Sequence, residues 1–341
     1  MVVYFVPWDA DQNLILEAER LYDKAGTFSS IEKGDLVAVK LHVGEFGNPN
    51  YVQPFFVHHV VQKIREVGGK PFLTDSNTLY CAQRYNAYDH MQTALMNGFN
   101  IAPFIVADGL KSENSRMVKT RGILSEIQVS GAIVEADAMV VISHCKGHDL
   151  SGFGGAIKNL AMGCTPHAGK LVQHRTIDLE IDHTKCNGCK TCKNVCPNNL
   201  PEIIKGKAHI TSEACMRCPI CRSECPTKAI NFVNQENICK ALASAALGVL
   251  ETFQPDKVSY INFAKDITQH CDCLPSPGAP IINDIGIFAA NSPASIDAAF
   301  LKKINYQQLF NKPSNVDCMT QITEAINIGI PGEANPEIQT I

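Results

Sequence analysis

Aromatic side chains are scarce in this sequence: Phe, Trp and Tyr make up 7% of 341 residues, and Trp8 is the single tryptophan. That composition excludes a stacking surface for single-stranded nucleic acid. Net charge is small too, −4 at pH 7, so the electrostatic footprint of a DNA binder or a membrane-surface protein is missing. No apolar run reaches the length of a membrane span; residues 241–250 are apolar but too short. The opening MVVYFVPWDADQN has no basic leader, and Pro7 and Asp9 interrupt its apolar run, unlike a signal peptide. Low-complexity segments are lacking, as are the Walker and Rossmann glycine patterns. These absences predict a cytoplasmic protein with no nucleic-acid and no membrane partner.

Cysteine, by contrast, is plentiful, with 15 in the chain. Eight fall in two runs, CNGCKTCKNVCP and CMRCPICRSECP, each spaced C-x₂-C-x₂-C-x₃-C-P. This is the bacterial ferredoxin spacing, in which three thiolates of one tight loop hold a cubane and the fourth serves the other cubane. The spacing therefore assigns Cys186, Cys189, Cys192 and Cys225 to one [4Fe–4S] cluster, and Cys215, Cys218, Cys221 and Cys196 to a second. Pro197 and Pro226 turn the chain out of each ligand segment, because proline fixes φ and lacks a donor. Zinc ribbons use two separated pairs per site, and a disulfide framework has other spacings, so neither suits these triplets. Between residues 182 and 234, eight Lys and Arg face four Asp and Glu. That basic excess offsets cluster charge, and it serves equally as a solvated face or a dock for an acidic redox partner protein. The other seven cysteines are scattered and odd in number, as in a reducing compartment. Cys271 and Cys273 among them are too close for an isolated zinc pair and read as two unrelated thiols.

With 45% hydrophobic residues the chain can bury a sizeable core. Residues 1–6, 35–43, 71–78, 103–106 and 123–134 read as strands, and 14–25, 55–67 and 81–97 as helices. After the cysteines, 238–253 reads as a helix, 258–263 and 281–289 as strands, and 295–303 as a helix capped by Ser292. Alternation of this kind predicts an α/β fold: a mostly parallel sheet with helices on both faces, interrupted by an α+β ferredoxin-like two-cluster module. The expected division is 1–181 and 235–341 for one α/β domain completing a single sheet, with 182–234 as the module.

The apolar run 138–143 opens into SHCKGHDLSGFGG before a helix that starts near Gly155. Ligands bind at the carboxyl end of strands in such sheets. Gly152, Gly154 and Gly155 would let backbone amides approach an anionic or organic cofactor, with Lys158 on the first turns of the helix. His144, Cys145, Lys146, His148 and Asp149 crowd the same loop. A purely structural joint, or a hydrated loop, is the alternative. His167, Lys170, His174 and Arg175 extend the polar cluster, and His174 and Asp178 share a face if that segment is helical.

Residues 40–45, 74–80, 143–164 and 169–174, the cysteine runs and residues 272–297 together resemble the uncharacterised Fe–S centre proteins built on domain of unknown function 362. The resemblance implies cytoplasmic two-cluster redox chemistry of anaerobes, without a settled reaction. It also places His42, Glu45, Asp75, Asn77, residues 144–149 and Asp284 at strand ends, where a shared rim would make one polar cleft. The leading reading is an iron–sulfur oxidoreductase. Its clusters would pass electrons to a site where His144, His148 and Lys158 bind an anionic small molecule and Asp75 or Asp149 carries protons. Its rivals are a non-enzymatic electron carrier and a metal- or phosphate-dependent enzyme with structural or sensory clusters.

Overall fold

The computed structural model describes residues 1–9, 11–211 and 213–341. Strands and helices alternate through β1 (Val2–Pro7), α1 (Leu14–Ala25), β2 (Leu36–Lys40), α2 (Pro54–Glu66), β3 (Lys70–Asp75), α3 (Ala87–Met96) and β4 (Phe104–Val106). A hairpin of β5 (Ser115–Lys119) and β6 (Glu126–Ser130) leads through the one-turn helix α4 (Gly131–Val134) to β7 (Ala138–His144). Next come a short hairpin of β8 (Lys146–His148) and β9 (Gly152–Gly154), then α5 (Ala156–Gly163) and α6 (His167–His174). The cysteine-rich stretch contributes β10 (Asp178–Ile181), α7 (Thr191–Val195), β11 (Glu202–Ile204), β12 (Lys207–His209), α8 (Ile220–Ser223) and β13 (Ile230–Val233). Finally α9 (Glu236–Leu250), β14 (Val258–Ala264), β15 (Gly286–Ala290), α10 (Pro293–Lys302), a helix at Met319–Asn327 and β16 (Glu337–Thr340) return to the sheet.

Eight strands form that sheet in the order β16-β1-β15-β14-β7-β2-β3-β4. Within it β15 runs antiparallel to both neighbours, β1 and β14, and the other pairings are parallel. The fold is α/β, and the alternation along β7 explains why the sheet needs cover on both sides. Met139 and Val141 pack into a core with α5, α9 and α10, whereas Ala138, Val140 and Ile142 pack into a second core with α1 and α2. Strand β14, which follows the cysteines, pairs with β7, which precedes them, from Val258↔Met139 to Phe263↔His144. From β2 the chain steps outward one way, to β3 and β4, and from β7 it steps the other way, to β14. The reversal lies between β2 and β7, where an α/β sheet opens a crevice at its carboxyl edge.

Several local elements differ from the pattern read in the sequence. The helix expected over 81–97 starts at Ala87, where the Asn86 side chain caps it by accepting from Asp89 N at 3.1 Å. The strand expected over 123–134 breaks after Ser130 into α4, and the strand expected from 281 begins at Gly286. His174 and Asp178 share no helical face, since α6 ends at His174 and Asp178 opens β10. Ser292 does cap α10, accepting from Ser295 N at 3.1 Å.

The cysteine-rich stretch is tied by an antiparallel pair, β10 with β13, from Asp178↔Val233 to Ile181↔Ile230. Its small core contains Cys186, Cys192 and Cys221 beside Ala208, Ala229 and Ile230. Arg217, between two cysteines, reaches back to the main body: its guanidinium donates to the carbonyls of Arg175 and Ile177 and pairs with Asp178 at 3.1 Å. No helix among the described residues is long and apolar enough to cross a membrane.

Candidate functional site

The crevice at the reversal point is a cavity of about 300 Å³ walled from four directions. The ends of β2 and β3 supply Lys40, His42, Asp75 and Ser76, and β7 with the following hairpin supplies Ser143, His144, Lys146, His148 and Asp149. Lys158, Asn159, Lys170 and His174 come from α5 and α6, and Cys271 and Cys273 from the loop after β14. The cysteine-rich stretch closes the space with Pro197, Cys218, Pro219 and Ile220.

A buried ion network builds the floor. Asp75 pairs with Lys40 Nζ at 2.9 Å and Arg84 Nη1 at 3.4 Å, and Arg84 Nε reaches Glu45 at 3.2 Å. Burial works against the Asp75 carboxylate, but Lys40, His90 and Arg84 hold its pKa below the usual range. Asp75, expected as a proton carrier, stands here as the buried ion-pair partner of Lys40 and Arg84. Asn77 and Glu45 stand behind the wall, and Asp284 accepts from Asp266 N at 2.7 Å instead of facing the cavity.

His144 is also fixed. Its Nδ1 lies 2.8 Å from Asp272 Oδ1 and its Nε2 2.6 Å from the Lys265 carbonyl, so both ring nitrogens are engaged. Lys146 Nζ completes the knot, 3.0 Å from Asp272 Oδ2. Burial raises the Asp272 carboxyl, but His144 and Lys146 outweigh it and bring it down to about 2. A depressed folded-state value stabilises the protein above the unfolded carboxyl pKa and loses that contribution as pH falls. Asp272→Asn is therefore expected to remove about 2 kcal/mol of the acid-dependent stability lost between roughly pH 4 and pH 2. Acid unfolding followed by circular dichroism checks this; identical slopes in variant and wild type would refute it. Cys145, expected in the polar cluster, turns instead into the apolar core and is fully buried.

His148 presents a donor. Its Nδ1 accepts from Leu150 N at 3.3 Å and Ser151 N at 3.2 Å, which puts the ring proton on Nε2. His42 repeats the device, with Nδ1 accepting from Gly44 N at 3.0 Å. Burial, reinforced by nearby lysines, keeps both rings neutral by lowering their pKa. Lys170 is buried against Ser76 Oγ at 2.7 Å, and burial brings its ammonium down to about 8. Asp149 pairs with His270 at 2.9 Å, and that hydrogen bond raises the His270 pKa. Lys158 Nζ stands 3.5 Å from Cys271 Sγ.

The glycine loop serves another purpose than the one its sequence suggested. The first amides of α5 are taken by a carboxylate of the chain itself: Asp297 accepts from Ala156 N at 2.7 Å and Ile157 N at 3.0 Å. A Cβ on Gly155 would stand 2.2 Å from Asp297 Oδ1, so glycine there admits this internal cap. Gly152 adopts φ +79° in the hairpin turn and does not line the cavity, whereas Gly154 and Gly155 do. The expected anion cradle of free helix amides is corrected accordingly.

The eight cysteines of the two runs fall into two groups. One small cavity is walled by Cys186, Cys189, Cys192 and Cys225, and another by Cys196, Cys215, Cys218 and Cys221. Backbone amides aim at several of the sulfurs: Ala208 N at Cys186 and Ala229 N at Cys225, both at 3.3 Å, and Arg217 N at Cys215 at 3.4 Å. Four thiols around a small apolar hollow, with N–H groups directed at sulfur, suit a cluster in which each iron takes one thiolate. Among the described residues no three His, Cys, Asp or Glu groups are placed to hold a single metal ion.

Neither Lys40 nor Arg84 stood out in the sequence, and Cys271 and Cys273 read there as two unrelated thiols, whereas both line the cavity. Two thiols flanking an acidic residue were the available signal for the pair, since alternate residues of a turn can face one way.

Three curated relatives share short stretches with the chain. A ferredoxin of Methanothermococcus thermolithotrophicus is 40% identical over 55 residues, 15% of this chain and 92% of that one. The pyruvate synthase subunit PorD of Methanocaldococcus jannaschii is 36% identical over 63 residues, 18% of this chain and 73% of the subunit. YsaA of Escherichia coli K12, named for electron transport, is 30% identical over 64 residues, 17% of this chain and 41% of YsaA. Among solved structures, the lactate racemase apoprotein of Thermoanaerobacterium thermosaccharolyticum aligns with a TM-score of 0.42 at 14% identity, covering 85% of this chain and 53% of the racemase. Residues 37–302, most of the sequence and the whole of the cavity wall, match the family described as Domain of unknown function (DUF362), and the chain belongs to that family.

Proposed function

We propose that the protein is an iron–sulfur oxidoreductase that delivers electrons to a small anionic molecule in the crevice. The α/β body would comprise residues 1–181 and 235–341, with 182–234 as the inserted two-cluster module. Cys186, Cys189, Cys192 and Cys225 would hold one [4Fe–4S] cluster, and Cys196, Cys215, Cys218 and Cys221 the other. Bound clusters of this type supply single-electron transfer at low potential. The ferredoxin and PorD likenesses support a redox partner protein as donor, and cysteine usage supports a reducing, cytoplasmic setting.

The observation that carries this reading is the shared wall: Cys218, one of the module's four-thiol set, lines the same cavity as Lys158, His148 and Asp149. The chain's own residues then divide the work. Lys40, Arg84 and Lys146 are neutralised by buried carboxylates, which leaves Lys158 and Lys170 as cations without a carboxylate pair among the described residues. With the Nε2–H groups of His42 and His148 they make a wall of donors, which favours an anion over a neutral or cationic guest. The Asp149–His270 pair stands at the rim as a proton carrier.

Small molecules released by denaturing anaerobically purified protein, identified by mass spectrometry and returned to reduced protein, are expected to reoxidise it. In Lys158→Ala and His148→Ala the clusters should reduce normally while this reoxidation slows by about tenfold or more. Equal rates in all three proteins would instead mark the α/β body as a docking scaffold of an electron carrier.

A further inference from the structure

The loop after β14 brings two thiols into the cavity on a tight turn, closed by Leu274 N donating to the Cys271 carbonyl at 3.0 Å. Cys271 and Cys273 both line the cavity, while Asp272 between them turns away to His144 and Lys146. Two further contacts single out Cys271: Lys158 Nζ at 3.5 Å and the Cys273 amide at 3.4 Å both approach its sulfur. Cations and N–H donors at a sulfur favour thiolate over thiol.

We propose that Cys271 and Cys273 are a redox-active dithiol that reduces a small anionic disulfide held in this cavity. The proposal rests on the reading of the crevice as the electron-accepting site and names its substrate class. The Cys271 thiolate attacks one sulfur of the bound disulfide; the substrate S–S bond breaks, a mixed disulfide forms at Cys271, and the first substrate thiolate leaves. Cys273 then gives up its proton and attacks Cys271 Sγ, which releases the second substrate thiolate and leaves a Cys271–Cys273 disulfide. Two electrons from a low-potential one-electron donor of the ferredoxin class, with two protons, restore the pair. The sum is one disulfide, two electrons and two protons giving two thiols.

The division of labour between the two sulfurs follows from their surroundings. The Cys273 thiol, donating its proton to the Cys271 sulfur, holds the Cys271 thiol well below its ordinary value with help from Lys158 and Lys146, while the same thiol–thiol contact and burial raise Cys273. One sulfur is thus prepared to attack and the other to resolve, as thiol–disulfide exchange requires. Residues two apart across a turn lie within the Cα span that a disulfide bridges. A soft-metal site suits the cavity less well. His42 and His148 accept backbone N–H groups at Nδ1, so their remaining nitrogens carry protons and are donors, not ligands. The donors that favour an anion also favour departure of a substrate thiolate, whose negative charge they receive.

The test uses the full-length, anaerobically purified protein and two probes, dianionic 3,3′-dithiodipropionate and neutral 2,2′-dithiodiethanol. After exposure to the dianion, iodoacetamide labelling and peptide mass spectrometry should find Cys271 and Cys273 joined and unlabelled; reduced viologen should make both alkylatable again. Cys273→Ser should trap a mercaptopropionate adduct on Cys271, and Cys271→Ser should trap none. The dianion should react about tenfold or more faster than the neutral probe, and that preference should collapse in Lys158→Ala. Free alkylation of both thiols after the dianion, absence of the trapped adduct, or equal rates with the two probes would each overturn the proposal. Iron content and cluster reduction are read in the same samples. Intact, reducible clusters beside an inert pair count against the dithiol alone; clusters that cannot be reduced count against the underlying oxidoreductase reading.

Discussion

Protein purified without oxygen is expected to carry about eight iron and eight sulfide per chain, and Cys189→Ala or Cys218→Ala about four. The sharper result comes from pairs of substitutions. Cys189 lines one small cavity with Cys225, and Cys218 lines the other with Cys196. If ligation follows these walls, the double variant at 189 and 225 removes two ligands of one cluster and keeps about four iron. The double variant at 189 and 196 touches both clusters and should lose nearly all of its iron. A sequential arrangement, with Cys196 serving its own run, predicts the reverse outcome in these two proteins. Iron and sulfide assays with the visible charge-transfer band decide between them. About one zinc per chain with no visible band would exclude clusters altogether. Alanine is the useful replacement, since serine retains an oxygen that can still reach iron.

Ligand spacing is a local property, which is why the cysteine groups could be read before the fold. Strand β7 was legible for a related reason: its first five residues, Ala138 to Ile142, leave an unbroken apolar signature. The hairpin of β8 and β9 was not, because the three-residue strands Lys-Gly-His and Gly-Phe-Gly carry no β-branched residue and are too short to show a period. The glycine loop misled for a different reason. Nothing near Gly155 reveals that Asp297, 141 positions after Ala156, supplies the carboxylate that caps α5. His144 was recognised as important but not as immobile, since its partners Asp272 and Lys265 arrive across the β7–β14 pairing. Cys271 and Cys273 gained meaning only when that same pairing placed their loop over the cavity. What stayed hidden in each case was a contact between distant segments, which the register of the sheet determines and composition does not.

Asp75→Ala is expected to be the most damaging single substitution in the α/β body. The residue joins β3 to β2 through Lys40 and to the loop before α3 through Arg84, and side chains of all three are at most 4% exposed. A buried ion pair adds little net stability when made, because desolvation cancels most of the attraction. Breaking it leaves an uncompensated charge and costs about 3–5 kcal/mol. Lys40 would keep Asn159 Oδ1 at 2.6 Å and the Leu41 carbonyl at 3.1 Å, but no carboxylate; Arg84 would keep Glu45. A loss of that size is a large share of the roughly 5–15 kcal/mol that holds an ordinary domain together. The pH dependence has a definite sign. Asp75 has a depressed pKa in the folded protein, so its contribution is complete above the unfolded carboxyl value near 4 and is lost as pH falls through the folded value. At neutral pH, therefore, the variant should melt well below wild type, and the gap should narrow as acid protonates Asp75 in the wild type. Lys40→Met combined with Asp75→Leu removes both charges with similar volumes and should recover part of the loss. Thermal unfolding monitored by circular dichroism, in samples matched for iron content, measures all three proteins. A melting temperature for Asp75→Ala equal to wild type at pH 7 would mean that the network does not hold the crevice floor, and that Lys40 and Arg84 are satisfied without it.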